Sequence, residues 1–155
     1  MIIKNYKKII DKRGYFSKLV SISFININKI KKIKEINFSY SKKKGTIRGL
    51  HYQTGRYKET KIIYVLRGMI FDVSLNLKNN KLKSRILSET SKKFIIIKEN
   101  FAHGFQTLQD NTCVLYVNTK EHNKLFERRI NPFDKEINIK WPIKKYIISK
   151  KDLSA

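Results

Sequence analysis

A period-two alternation of apolar and polar residues constrains the fold of this chain more than any other feature. Over residues 71–78 every second position is apolar, so an extended strand there has one apolar face and one mixed face. Similar β-rich runs cover residues 61–66, 92–98 and 112–118. A tight hairpin is predicted at Arg67 and Gly68, where the strand at 61–66 gives way to the next. Because helical periodicity is weak, the chain is predicted to be an all-β sandwich or jelly roll.

Length and cysteine content place the protein in a broad class. A chain of 155 residues with 41% hydrophobic residues fits one domain with a real core, and we expect residues 1–155 to form it. No apolar run approaches the roughly 18 residues that a membrane span needs, and lysines interrupt the N-terminus too early for a signal-peptide core. The single cysteine, Cys113, rules out an intrachain disulfide. We therefore expect a cytoplasmic protein with no membrane partner.

The formal net charge of +23 is large for a chain of this length. Such a charge often indicates nucleic-acid binding. Here most of it comes from lysines scattered through every segment, together with many isoleucines and asparagines, and AT-rich coding produces this composition by itself. We therefore do not expect a nucleic-acid partner, although the charge can attract a phosphorylated small molecule.

Two of the three histidines lie in segments typical of functional sites. His51 follows a glycine turn and a predicted strand, and His103 is framed by aromatic residues and a glycine. A metal site in a β-barrel would need a second histidine two residues after His51, but Gln53 stands there. Adding Glu59 and His103 still leaves too few ligands. The sequence therefore predicts no catalytic metal.

The chemistry that remains is acid–base chemistry. His51 can act as a base near neutral pH, Lys61 can stabilise a developing oxyanion, and Tyr116 can donate a proton. Together these groups suit proton abstraction beside a carbonyl, with an enolate as the intermediate. Each residue also fits an ordinary structural place: a core histidine, a solvated lysine and a packing tyrosine. The alternation likewise leaves open whether Asp72 and Tyr116 line a pocket or meet solvent.

Motifs spread along the chain add a second argument. They are DKRGYF at 11–16, GTIRGLHYQ at 45–53, ETK at 59–61, RGMIFDV at 67–73, NFAHGF at 100–105 and WP at 141–142. In this order they resemble the dTDP-4-dehydrorhamnose 3,5-epimerase family over nearly the whole chain. The resemblance implies an all-β cupin jelly-roll sandwich or barrel with a few short helices, and a tail from about residue 141 that folds back over the barrel. It also implies a homodimer, in which an N-terminal segment pairs with the partner's sheet, and no metal or cofactor.

The activity that the resemblance implies is epimerisation of a nucleoside-diphosphate 4-keto-6-deoxysugar. A base removes the proton beside the C4 ketone, and the enolate is reprotonated on the other face. Three alternatives stay open: a single-centre epimerase at C3 or C5, a 3,4-ketoisomerase of a related sugar nucleotide, and a non-catalytic cupin that binds sugar nucleotides.

The family's site residues fall on particular positions of this chain. The resemblance places the base at His51, the carboxylate that partners it at Asp152, the enolate-stabilising lysine at Lys61 and the opposing acid at Tyr116. It places substrate-binding residues at Arg13, Arg48, Asn37, Gln53, His103 and Asp72, with His103 and Asp72 forming a second pair. Because Asp152 lies far along the chain, Trp141, Tyr146 and residues 147–148 are expected to anchor the tail.

Several positions depart from the family's usual pattern. Glu35 stands where a glutamine is common, His122 where an aromatic is common, and Arg129 where a glycine usually follows Arg128. Lys18 replaces an acidic residue. These changes spare the proton-transfer set, so we expect the chemistry to be kept while the nucleotide, the sugar and the number of inverted centres stay open.

Overall fold

Nearly all regular structure in the described part of the chain is β-strand. The computed structural model describes residues 2–6, 8–12, 14–17, 19 and 33–154. Its strands are β1 (Ile2–Asn5), β2 (Ile9–Asp11), β3 (Gly14–Phe16), β4 (Glu35–Ser41), β5 (Ile47–Gln53), β6 (Lys61–Arg67), β7 (Met69–Asn76), β8 (Leu82–Ser88), β9 (Lys93–Ile97), β10 (Phe101–Thr107), β11 (Thr112–Asn118) and β12 (Glu127–Arg129). The helical elements are two 3-10 turns, Gly55–Tyr57 and Glu89–Ser91, and the four-residue helix α1 (Lys150–Leu153). The all-β prediction with a few short helices is confirmed.

Two five-stranded antiparallel sheets form the body of the molecule. One has the strand order β1-β9-β6-β11-β4 and is called the β6 sheet, and the other has the order β12-β5-β10-β7-β8 and is called the β10 sheet. A buried cluster joins their inner faces, with Ile63 and Val114 from the β6 sheet against Ile70 and Phe105 from the β10 sheet. None of the helices in the described residues is long and apolar enough to cross a membrane.

The predicted hairpin at Arg67 and Gly68 is wrong. Strands β6 and β7 follow each other directly, but β6 pairs with β9 and β11 while β7 pairs with β10 and β8. The chain therefore crosses between the sheets at Gly68, which has a φ of +82°. A Cβ at this position would lie 2.6 Å from Thr112 Oγ1, so the corner requires glycine. A glycine signals a turn in the sequence, but it does not tell which strands pair.

Strand β7 is buried on both faces. Its apolar face, with Val73 and Leu75, packs on the outer side of the β10 sheet against Ile139 and Trp141. By alternation its mixed face points inward, and there Asp72 is 0% exposed. The mixed face of β7 therefore does not meet solvent, and that interpretation is wrong for Asp72. Solvent does not reach the opposite, apolar face either, because a later part of the chain covers it.

The segment after β12 covers the outer face of the β10 sheet and returns to β5. Trp141 packs in the buried cluster there and donates its indole N–H to the carbonyl of Pro132 at 2.9 Å. The amide of Gln106, on β10, donates to the carbonyl of Ile143 at 2.8 Å and accepts from its N–H at 2.9 Å. Ile147 then forms a parallel bridge with Thr46, immediately before β5. This path delivers α1 to the strand that carries His51.

Candidate active site

A cavity of about 560 Å³ lies between the two sheets. The residues expected to be catalytic, His51, Lys61, Tyr116 and Asp152, all line it. The expected binding residues Arg48, Asn37, Gln53 and His103 line it as well. Arg13, expected to hold substrate, lies outside the described residues. The structure thus gathers side chains from five strands and the C-terminal helix into one space.

The two histidines of the cavity lie side by side. Strands β5 and β10 are antiparallel neighbours, and His51 pairs in register with His103. The register then shifts between His103 and Phe105, close to where Gly49 meets Gly104. Gly49 has a φ of +118°, and a Cβ there would lie 2.5 Å from the Cα of Gly104. Glycine at this position therefore lets the two strands approach closely beside both histidines.

His51 and Asp152 form what we call the C-terminal pair. The Nε2 atom of His51 lies 2.7 Å from Asp152 Oδ1, and the two residues are 101 positions apart in the chain. Asp152 is held at the start of α1, where Ser149 Oγ accepts a hydrogen bond from its backbone N–H at 3.2 Å. Burial lowers the pKa of His51 and outweighs the opposing effect of the Asp152 hydrogen bond. A neutral imidazole at pH 7, oriented by a carboxylate, is suited to act as a base.

His103 and Asp72 form a second, buried pair. The Nε2 atom of His103 lies 2.5 Å from Asp72 Oδ1, and both side chains are almost completely buried. The other carboxylate oxygen, Oδ2, lies 3.4 Å from Nε of Arg85 on β8. The His103 ring also meets the Tyr116 ring edge-on, with centroids 6.5 Å apart. The buried pair therefore forms a rigid wall beside the tyrosine.

Lys61 and Tyr116 supply a cation and a hydroxyl from the β6 sheet. Lys61 begins β6, and its Nζ lies 3.3 Å from Glu59 Oε1. Burial raises the pKa of Glu59, and the neighbouring lysine opposes that rise. Burial also raises the pKa of Tyr116, so its hydroxyl keeps its proton throughout the neutral range. The site thus combines a neutral base, a cation and a protonated hydroxyl.

The expected binding residues differ in how much of their hydrogen bonding is already used. Arg48 donates to Ser41 Oγ at 3.3 Å and to the Tyr40 carbonyl at 3.2 Å, and the residue is exposed. The amide of Asn37 donates to Glu35.

Gln53 is buried, and its amide serves the chain itself. It donates to the carbonyls of Tyr57 and Glu121 and accepts from the Asn123 N–H at 2.7 Å. Substrate binding by Gln53 stays a prediction, and these contacts favour a role in anchoring the loop before β12.

Three charged residues next to the two histidine–aspartate pairs were not predicted as site residues. Arg129 Nε lies 3.6 Å from Asp152 Oδ1, and Arg129 Nη2 lies 2.5 Å from Glu127 Oε2. Arg85 occupies the corresponding place beside Asp72. The arginine in place of glycine at position 129 was visible in the sequence, but its partner 23 residues later was not. The described residues contain no group of three or more His, Cys, Asp or Glu side chains placed to hold a metal ion.

Comparison with known proteins identifies the family. A profile of the dTDP-4-dehydrorhamnose 3,5-epimerase family matches residues 1–155. The chain belongs to this family. It is accordingly an epimerase, of the isomerase class, that acts on a sugar nucleotide.

Individual relatives agree in sequence and in structure. The dTDP-4-dehydrorhamnose 3,5-epimerase of Shigella flexneri is 33% identical over 151 residues, which are 94% of this chain and 83% of that protein. The crystal structure of the Sulfolobus tokodaii epimerase has a TM-score of 0.89 and 36% identity, covering 99% of this chain and 87% of that one. A Legionella pneumophila epimerase, crystallised with dTDP-4-keto-L-rhamnose, has a TM-score of 0.89 and 30% identity, covering 99% of this chain and 85% of that one.

Proposed function

We propose that the substrate is a dTDP-linked 4-keto-6-deoxysugar and that His51 is the base that inverts its C3 and C5 centres. The observation that carries this proposal is the contact between His51 and Asp152 inside a cavity that also holds Lys61 and Tyr116. The ligand of the Legionella pneumophila relative, dTDP-4-keto-L-rhamnose, supports the choice of substrate.

The reaction needs only proton transfers and a place for negative charge. The C4 ketone acidifies the neighbouring C–H bond, and one ring nitrogen of His51 takes that proton while the other is held by Asp152. The electrons of the C–H bond move to the ketone oxygen, and the ammonium of Lys61 stabilises the enolate. The hydroxyl of Tyr116 gives its proton to the opposite face of the carbon as the C4 ketone re-forms. His51 then releases its proton to solvent, and Tyr116 regains one from solvent. Repetition at the second carbon completes the 3,5-epimerisation.

Arg48 and Asn37 are the proposed contacts to the nucleotide diphosphate. The guanidinium of Arg48 is exposed at the cavity, and among the described residues it is bound to one side chain and one carbonyl, so donors remain for a phosphate. Asn37 lies on β4 with its side chain in the cavity wall. Arg13 keeps its proposed role in diphosphate binding on the basis of the family motif alone.

A homodimer is proposed from two exposed apolar surfaces. The hairpin formed by β2 and β3 exposes Ile10 and Phe16 at 73% and 64%. Strand β4, at the edge of the β6 sheet, exposes Ile36 and Phe38 at 61% each. Exposed apolar residues on a sheet edge favour pairing with another chain. Analytical ultracentrifugation should give a dimer for the wild type and a monomer for Phe38→Glu, and a monomeric wild type would contradict the proposal.

A cytoplasmic location stays a prediction from the sequence.

Solvent exchange tests the proposed reaction directly. The purified protein, incubated in D2O with dTDP-4-keto-6-deoxyglucose, should introduce deuterium at both C3 and C5, as followed by NMR. Exchange at one carbon alone would establish a single-centre epimerase instead. No exchange at either carbon, or full exchange by His51→Asn, would contradict the proposal. Lys124→Gln, an exposed change in the loop before β12, serves as the matched control.

A further inference from the structure

The carboxylate of Asp152 has two positively polarised neighbours on one oxygen. Oδ1 lies 2.7 Å from His51 Nε2 and 3.6 Å from Arg129 Nε. The second distance is too long for a direct hydrogen bond but lies within the range of an ion pair. The Nε atom of Arg129 is buried and makes no hydrogen bond within the described residues. Its contact with Asp152 is therefore an electrostatic one, made in a site that is largely shielded from water.

Arg129 is itself fixed to the sheet. It lies on β12 directly opposite His51 on β5, and its Nη2 lies 2.5 Å from the carboxylate of Glu127. Glu127 is in turn 3.5 Å from His122 Nε2. The guanidinium is thus tied through Nη2 to Glu127, on the same edge strand of the β10 sheet.

Asp152, in contrast, lies on an element with little support of its own. Helix α1 has four residues, which is far shorter than the about 12 to 15 that an isolated helix needs to be even marginally stable in water. Within the described residues, the Ser149 cap is joined by an amide contact in which Asn131 Nδ2 donates to the Leu153 carbonyl at 3.1 Å. Lys150, Lys151 and Leu153 are exposed. The position of the carboxylate therefore depends on what it meets on the sheet.

We propose that Arg129 is a positioning residue of the C-terminal pair, which holds the Asp152 carboxylate of the C-terminal helix behind His51. In this arrangement Arg129, tied to Glu127, is the anchor, and Asp152 is the group that it holds. Since a guanidinium stays charged at every pH in the working range, it is a permanent positive neighbour of the carboxylate that faces the His51 ring.

The consequence for His51 depends on all the charges around it. Asp152 from α1 and Glu127 from β12 favour the imidazolium, whereas Lys61 from β6 disfavours it. Arg129 is a further positive charge near His51, placed next to Asp152. Loss of Arg129 removes that charge but also frees Asp152, and these two changes move the pKa of His51 in opposite directions. A decisive test must therefore follow the hydrogen bond itself.

The test compares Arg129→Gln and Arg129→Lys with the matched control Arg128→Gln. Arg128 is exposed, and within the described residues its side chain donates to the carbonyls of Leu125 and Glu127. In NMR spectra of the substrate-free protein, the Nε2–H resonance of His51 should be present in the wild type and in Arg128→Gln. It should be lost through exchange with water in Arg129→Gln and recovered in Arg129→Lys. Persistence of the resonance in Arg129→Gln would overturn the proposal.

Kinetics give a second readout that rests on the proposed function. Arg129→Gln should lower kcat by about 10- to 100-fold, the scale of a small displacement of a reacting group, and change KM by less than about twofold. In an Asp152→Asn background the same substitution should have no further effect, because Arg129 acts through Asp152. Additive losses would overturn the proposal. If the wild type shows no epimerisation, the proposed function fails, while the NMR comparison still decides the role of Arg129.

Discussion

The C-terminal pair and the buried pair use the same three residue types in opposite surroundings. Each has a histidine, an aspartate and an arginine beside the carboxylate. Arg85 contacts the Asp72 oxygen that His103 does not, whereas Arg129 contacts the same Asp152 oxygen as His51. The side chain of His51 is 31% exposed, whereas that of His103 is 3% exposed. Asp152 comes from a short helix at the end of the chain, while Asp72 comes from a strand with paired neighbours on both sides. The comparison teaches that the two pairs differ in backbone support and access to the cavity, not in residue type, and these differences are what favour the C-terminal pair as the proposed reacting one.

The largest effect is expected when the histidines themselves are exchanged. His51→Asn should reduce the epimerisation rate by about 10²- to 10⁴-fold, the usual contribution of a positioned base, with little change in stability. His103→Asn should reduce the rate less and lower the free energy of unfolding by about 1 to 3 kcal/mol, because it leaves Asp72 with an unmet hydrogen bond. Steady-state kinetics and urea unfolding check both values. Equal rate losses in the two variants would break the distinction between the pairs.

The aspartates should show the same contrast in stability. Asp72→Asn should lower the free energy of unfolding by about 3 kcal/mol, because Arg85 and His103 are left buried without a charged partner. Asp152→Asn should cost about 1 kcal/mol or less, because the short helix can turn its side chain out to solvent. Urea denaturation of both variants measures the difference. If Asp152→Asn proved as destabilising as Asp72→Asn, α1 would have to be a structural element rather than a carrier of the carboxylate.

Removal of residues 150–155 should sharpen the same contrast. The deletion takes away Asp152 while leaving the packing of Trp141 on the β10 sheet in place. We expect a rate loss of about 10- to 100-fold and only a small change in the unfolding midpoint, since few buried contacts are lost. Activity assays and thermal unfolding of the truncated protein check this. Comparable losses of activity and stability would count against the pairing of His51 with Asp152.

The smallest effect concerns pH. Because burial lowers the pKa of His51, the base stays neutral to a lower pH than a free histidine, and the acidic limb of kcat/KM should lie below about 6.5. Asp152→Asn removes a group that favours the imidazolium, so it should move that limb further down, by less than about one pH unit, even as the rate falls. A pH–rate profile of each protein shows the direction. An upward move would mean that Asp152 does not act on the His51 charge.

The lowered pKa of His51 also determines how the stability of the protein changes with pH. The unfolded chain has the higher histidine pKa, so it binds more protons than the folded protein below about pH 6.5. The contribution of His51 to stability is therefore complete above that pH and is lost as the pH falls through the folded pKa.

The sequence predicted the strands better than their connections. The alternation located β6, β7, β9 and β11 closely, because a strand's face pattern is a local property. The corner at Gly68 was taken for a hairpin, because the pairing of β6 and β7 with other strands depends on the whole sheet order. The burial of Asp72 could not be read from β7 either, since the segment that covers its other face lies beyond residue 130.

The site divides in the same way. His51, Lys61 and Tyr116 could be proposed from their chemistry, but the 101-residue separation of His51 and Asp152 leaves no local pattern, and only the family resemblance suggested that pair. Arg129 and Arg85 had no such guide. Their roles depend on which carboxylate the folded chain brings next to them.

Strand β10 connects the two pairs mechanically. Its inner face carries His103, its neighbour β5 carries His51 in register, and its outer face holds the tail through Gln106. A displacement of this one strand therefore reaches the wall of the cavity, the base and the segment leading to Asp152 at the same time. Substrate contacts at His103 and the seating of the C-terminal helix are thus expected to change together, as a single motion.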